Sequence, residues 1–153
     1  MITQQLIKEL YEYHDGQLYR KDSGKKAGYL RKDGYTFVGI TNTKVLLHRL
    51  IFMMFNGYFP KEVDHINGDR TNSKIENLRG CTSQQNKYNI KMKIDNSSGY
   101  KNVYRNKAGN SWAVQIRING KPKHIGYYKD LELADLVAQE ARNKFHKEFA
   151  CHG

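Results

Sequence analysis

The chain has 153 residues, of which 39% are hydrophobic, enough for one ordinary domain or two small ones and too apolar for disorder throughout. Lys and Arg outnumber Asp and Glu by 26 to 15, a net charge of +11, which points to a polyanionic partner with nucleic acid as the leading candidate. Cys81 and Cys151 are the only cysteines, which excludes a disulfide framework and a cysteine-based zinc site.

At the N-terminus Met1 to Leu6 lacks the basic-then-apolar order of a signal peptide, and Leu50 to Met54 is too short to span a bilayer, so a cytoplasmic protein without membrane contact is expected. Ile2, Leu6 and Leu10, with Tyr11 and Tyr13, have helical spacing, which predicts a helix over 2–13 ended by His14-Asp15-Gly16. From Gln17 to Leu47 the pattern changes to brief Tyr-, Val- and Ile-containing runs. Lys32-Asp33-Gly34 and Thr41-Asn42-Thr43 divide them as hairpin turns. Residues 48–56 read as a buried helix, with Gly57 as its left-handed cap.

Val63-Asp64-His65-Ile66 then reads as a strand closed by Asn67-Gly68, and Ile75 to Thr82 as a second strand. Ser83 is the N-cap of a helix containing Asn86. An Asp-His pair before Asn-Gly can simply cap a turn. With Asn77 and Asn86 following, the same segment joins a metal-binding carboxylate, a general base and two amides. Phosphodiester hydrolysis needs such parts: a hard divalent cation on the phosphate and leaving oxygen, and a base that activates water from the opposite side.

Around Asp95-Asn96-Ser97-Ser98-Gly99 the sequence becomes small and polar, which places a domain boundary there: 1–94 and 95–153. The charge excess is spread over both parts. Residues 1–95 carry 16 basic and 10 acidic side chains, and residues 96–153 carry 10 and 5. Tyr100 to Arg105, Ser111 to Ile118 and Lys121 to Tyr128 read as three strands, joined by Lys107-Ala108-Gly109-Asn110 and Asn119-Gly120. Strand parity puts Trp112, Val114, Ile116 and Ile118 on one face of the middle strand and Ala113, Gln115 and Arg117 on the other. A helix from Leu131, capped by Asp130, offers Ala134, Val137, Ala138, Ala141 and Phe145 for the sheet to bury. The polar face of the sheet is left for a ligand.

The words His48-Arg49-Leu50, Val63-Asp64-His65-Ile66-Asn67-Gly68-Asp69, Ile75-Glu76-Asn77-Leu78-Arg79 and Thr82-Ser83-Gln84-Gln85-Asn86 resemble the HNH endonuclease family, in the phage and intron-type branch with Asn at the third position. The resemblance implies a ββα-metal fold. It implies that Asp64 and Asn86 supply oxygens to Mg²⁺ or Mn²⁺, a ligand set suited to hard ions that retain water. It further implies that His65 is the general base, with an imidazole near its ordinary pKa of about 6.5, and that Asn77 fixes the loop and the imidazole's orientation by hydrogen bonds. His48 and Arg49 match the family with no chemistry assigned; helix packing and phosphate contact are both open. His14, His146 and His152 lie in no ligand-like spacing and read as surface positions, and Cys81 as a small core residue.

Residues 98–150 resemble the plant ethylene-response-factor (APETALA-type) DNA-binding domain, through Ser98 to Tyr104, Trp112 to Arg117, Ile125 to Tyr128 and the Ala-rich helix. That resemblance implies a three-stranded sheet in the major groove, with Lys101, Tyr104, Gln115, Arg117 and His124 at contacting positions. Tyr104, His124 and Pro122 depart from the plant pattern, so the target sequence is not inherited. Trp112 faces the helix and is expected in the core; Lys123 reads as a solvated hairpin charge.

The expectation is an α+β protein: an HNH domain followed by a three-stranded antiparallel sheet on one helix. Its expected activity is metal-dependent cleavage of double-stranded DNA, as a monomer or a DNA-induced dimer and of a homing type. The alternative is a DNA-binding regulator on an HNH scaffold without turnover.

Overall fold

A computed structural model describes residues 1–92 and 94–152. Its first helix, α1 (Gln4–Leu10), is shorter than the sequence pattern suggests. Thr3 caps it by accepting from the amide of Leu6. Tyr11 does not continue the helix but starts β1 (Tyr11–His14), which pairs antiparallel with β2 (Gln17–Arg20). The reason is the turn: Asp15 and Gly16 both have positive φ, 46° and 85°, which favours a tight hairpin between Tyr-rich arms over another helical turn.

β3 (Tyr29–Leu30), β4 (Thr36–Ile40) and β5 (Thr43–Leu46) form a second small sheet in that order. Its β4–β5 turn is the expected one, with Thr41 and Asn42 in the left-handed region. The chain then enters α2 (Leu47–Asn56), which ends at Gly57 with φ 79° and its amide bonded to the Met53 carbonyl. Leu47, Leu50, Ile51, Phe52, Met53 and Met54 of α2 are buried, and with Ile7, Tyr11, Leu18, Val38 and Ile40 they form the main core. Helix α2 also packs on β6 (Glu62–His65) and β7 (Leu78–Cys81). This antiparallel pair sets Asp64 opposite Arg79 and His65 opposite Leu78. The second strand is shorter than expected because Ile75–Asn77 is a turn of 3₁₀ helix.

Contacts divide the chain into two units, Met1–Ser83 and Gln84–Gly153. This division precedes the polar stretch at which the sequence places a boundary, and it falls at the first residue of α3 (Ser83–Tyr88). The second unit contains β8 (Val103–Arg105), β9 (Trp112–Ile118) and β10 (Lys121–Tyr128), an antiparallel sheet ordered β10-β9-β8. It packs on α4 (Leu131–His146), whose first turn is capped by Asp130 accepting from the Leu133 amide. Val103, Val114, Ala134 and Ala138 are fully buried between them, with Trp112, Tyr128 and Val137 packed around. The protein is thus a mixed α/β chain of small sheets and four α-helices among the described residues.

Candidate functional site

Strand β6 ends in the residues of greatest chemical interest. Asp64 and His65 are 6% and 5% exposed. A lone buried carboxylate is costly, and Arg79, directly across the ladder, offsets that cost: its Nε and Nη2 donate to Asp64 Oδ2 at 2.9 and 2.8 Å. This guanidinium was not assigned a role from sequence, although the strand register alone places it opposite Asp64.

His65 lies on the other parity of the strand. Its ring meets that of His48 edge-to-face at a centroid distance of 4.7 Å, and Tyr35 lies 5.5 Å from His48 and 6.3 Å from His65. The Arg70 guanidinium sits 5.0 Å over the Tyr35 ring. Burial pushes the His65 pKa below its ordinary value, against the opposing pull of the Asp64 and Asp69 carboxylates. The sequence expectation of an unperturbed imidazole is therefore corrected. For His48, burial, then His65 and Arg49, lower the pKa to about 3. Both rings are held neutral near pH 7, the form in which an imidazole nitrogen can accept a proton.

The structure shows packing contacts for the His48-Arg49 word. His48 is buried against His65, and Arg49 donates to the carbonyls of Pro60 and Lys61, which tie α2 to the entry of β6.

Asn77 is a clamp on the loop between the strands. Its Oδ1 accepts from the Asn67 amide at 3.1 Å, and its Nδ2 donates to Asn67 Oδ1 at 3.0 Å and to the Asn72 carbonyl at 2.8 Å. The backbone adds the Ile66 amide bonded to the Asn77 carbonyl. The side-chain bonds hold the loop and do not reach the imidazole, so the expected hold on the ring's orientation is indirect. Around the loop, Asp69 caps the Thr71 amide and Lys74 pairs with Asp15. Among the described residues no group of three or more His, Cys, Asp or Glu side chains is placed to hold a metal ion. A cation site built from this segment relies on one carboxylate and an amide oxygen, a donor set that suits a hard, water-retaining ion.

In the second unit, cross-strand pairing puts Tyr104, Ala113 and Tyr127 in one row, Gln115 and His124 in the next, and Arg117 beside Pro122. Parity sets these on the sheet face opposite α4. Tyr104 and Tyr127 are 50% and 62% exposed, and the His124 and Tyr127 rings lie 4.4 Å apart. Lys101 does not join this row. Its ammonium donates to the carbonyls of Tyr88 and Ile90, and burial lowers its pKa. A cavity of about 240 Å³ adjoins it, lined among others by Lys87, Tyr88, Tyr104, Gln115, Arg117 and His146.

His146 is another correction. Read as a surface residue, it is 6% exposed, with its ring stacked on Tyr88 at 3.9 Å and its Nε2 bonded to the Arg117 carbonyl. His14 and His152 are exposed as expected, Cys81 is buried as expected, and Trp112 packs against the helix core. Lys123 is exposed, with its ammonium 4.5 Å over the Phe145 ring.

The HNH endonuclease family matches residues 45–88, from the end of β5 to the end of α3. The chain carries an HNH endonuclease domain. That domain belongs to a class of nuclease enzymes, and the relatives the chain matches are viral. It is 29% identical over 107 residues to Protein 3.8 of Escherichia phage T7, covering 67% of this chain and 86% of that protein. It is 37% identical over 124 residues to an uncharacterized HNH endonuclease of Acanthamoeba polyphaga mimivirus, covering 76% of this chain and 63% of the relative. A second mimivirus HNH endonuclease is 34% identical over 84 residues. The chain spans less than two thirds of the first mimivirus protein and 24% of the second. No solved structure matches it. No described helix is long and apolar enough to cross a membrane.

Proposed function

We propose that the protein hydrolyses phosphodiester bonds of double-stranded DNA with a divalent cation, its first unit cutting and the sheet of its second unit binding the duplex. The observation that carries this reading is the β6 terminus within the HNH match: a carboxylate and an imidazole on adjacent, opposite-facing positions, beside a loop locked by Asn77. Asp64 and Asn86 are the proposed ligands of Mg²⁺ or Mn²⁺, supported by the motif's order and by the hard-oxygen chemistry of the pair. A bound cation supplies charge compensation at the phosphate and the leaving oxygen.

The chain's own residues do the rest. His65 accepts the proton of the attacking water, a role for which its neutral form is required. Arg79 keeps the Asp64 carboxylate compensated and aligned. Asn77 fixes the loop that follows the base. Because His65 is covered by His48 and Tyr35 in the free protein, the proposal includes that DNA engagement opens a path to the ring. Tyr104, Gln115, Arg117 and His124 are the proposed duplex contacts, with Arg117 and Gln115 able to read bases. Lys101 acts through the packing of its own unit. A homing-type role is supported only by the viral company of the sequence.

A second reading is favoured by the burial of His65 and by the Arg79 bonds to Asp64, which together suit a DNA-binding protein on an HNH scaffold without turnover. Supercoiled plasmid separates the two. The nuclease nicks or linearises it with Mg²⁺ or Mn²⁺ and stops when the cation is chelated. The inactive scaffold retards the plasmid and leaves it intact under both conditions.

A further inference from the structure

Helix α3 has six residues, none of them buried. Helices this short are not stable by themselves in water, so its form depends on what docks it. Within the second unit, four contacts converge on it. The Tyr88 ring stacks face to face on His146 at 3.9 Å with only 6° between the planes. The Tyr88 hydroxyl accepts from the Asn119 amide at 3.0 Å, at the tip of the β9–β10 hairpin. Gln84 Nε2 donates to Asn119 Oδ1 at 2.9 Å. The Lys101 ammonium donates to the carbonyls of Tyr88 and Ile90, satisfying acceptors that a helix C-terminus leaves open. Lys101 is itself pinned, since its carbonyl accepts from Nη1 of the fully buried Arg142.

These residues come from the loop before β8, from the β9–β10 turn and from the last turn of α4, far apart in sequence. Lys101, Asn119 and His146 belong to the sheet-and-helix unit and lie outside the HNH match, whereas Gln84 and Tyr88, which they hold, lie at its end. We propose that Tyr88, His146, Asn119 and Lys101 are positioning residues for the metal-ligating amide of Asn86: the reading unit folds the helix that carries this ligand. The proposal rests on the assignment of Asn86 as a ligand. It implies that the C-terminal unit is required for metal affinity itself, and so for cutting, in addition to any choice of site. Tyr88 lies two residues from Asn86 in the same short helix.

The test uses the full chain and follows Mn²⁺ binding by electron paramagnetic resonance, with hydrogen exchange at residues 84–88 and the Mg²⁺ dependence of plasmid cleavage alongside. Tyr88→Ala is expected to weaken Mn²⁺ affinity by roughly 10-fold or more, the range seen when support of a metal ligand is lost, and to speed exchange in α3. Tyr88→Phe keeps the stacked ring and is expected to restore most of the affinity. Should Tyr88→Ala misfold, as a thermal melt would reveal, Gln84→Ala in α3 and Asn119→Gly in the exposed hairpin turn give the same direction of change. Wild-type Mn²⁺ affinity in these variants, with weakened affinity in Asn86→Ala, overturns the proposal and leaves the ligand assignment standing. Unchanged affinity in Asn86→Ala removes the ligand and the proposal with it. Intact Mn²⁺ binding without cleavage in the wild type counts instead against the nuclease reading.

Discussion

Replacing Asn77 with Ala removes three side-chain hydrogen bonds, to the Asn67 amide, the Asn67 side chain and the Asn72 carbonyl. Asn77 is 9% exposed, while Asn67 is exposed and Asn72 half-buried, so each bond counts at the ordinary net value of a hydrogen bond and no more. At about 1 kcal/mol per bond the loss is about 3 kcal/mol. For a unit of this size that lowers the midpoint of thermal unfolding by roughly 12–24 °C. Asn77→Asp is the sharper variant. It keeps an acceptor for the Asn67 amide but turns two oxygens, Asn67 Oδ1 and the Asn72 carbonyl, against a carboxylate that cannot donate. It is expected to be no more stable than Asn77→Ala. Thermal unfolding by circular dichroism gives the magnitude, and hydrogen exchange localises it: amides of 66–77 should lose protection first. An Asn77→Asp protein that melts within a few degrees of wild type, with that loop still protected, refutes the clamp.

Cys81 is buried and its thiol is pushed up to about 11 by burial and the neighbouring Asp64 and Glu62 carboxylates, so at pH 8 iodoacetamide should alkylate Cys151 well before Cys81 in the native protein; equal rates by mass spectrometry would contradict the burial. The folded-state pKa of His48, about 3, lies below its unfolded value of 6.5. The unfolded chain therefore binds this proton first, and stability falls as pH drops below about 6.5 and keeps falling toward 3. His48→Phe should reduce the slope of melting temperature against pH between 6.5 and 5, above the range of ordinary carboxylates, leaving the part that the buried His65 and His146 contribute in the same direction; an unchanged slope would show that His48 is not a source. Arg117→Ala should weaken duplex binding and reduce the slope of log affinity against log salt by up to about 1, and an unaltered slope would take Arg117 off the phosphates.

Much of this was legible in the chain because the signals were local. Gly57 behind an apolar run marked the end of α2, Asp130 marked the start of α4, and Asn119-Gly120 marked a hairpin; each acts within a few residues of itself, Gly57 and Asn119-Gly120 through the backbone and Asp130 through its side chain. Tyr11 misled because its spacing continued a helical stripe while Asp15-Gly16 imposed a hairpin four residues later. His146 and Lys101 could not be placed from sequence, since what buries them is Tyr88, 58 and 13 residues away. His48 stood in the matched words, yet nothing in the linear pattern tells that its ring meets that of His65. The boundary near Asp95 followed composition, whereas contacts divide the chain between Ser83 and Gln84, because the partners of Gln84 and Tyr88 lie in the second unit.

The base assignment is tested most directly by single-turnover cleavage of duplex DNA with Mg²⁺, comparing wild type with His65→Ala at matched binding occupancy and mapping the ends on each strand. The expected result is defined ends for wild type and a rate lower by roughly 10²–10⁴-fold for the variant, with duplex affinity nearly unchanged. Ends produced by His65→Ala at the wild-type rate, or bound duplex that wild type leaves whole, would contradict it.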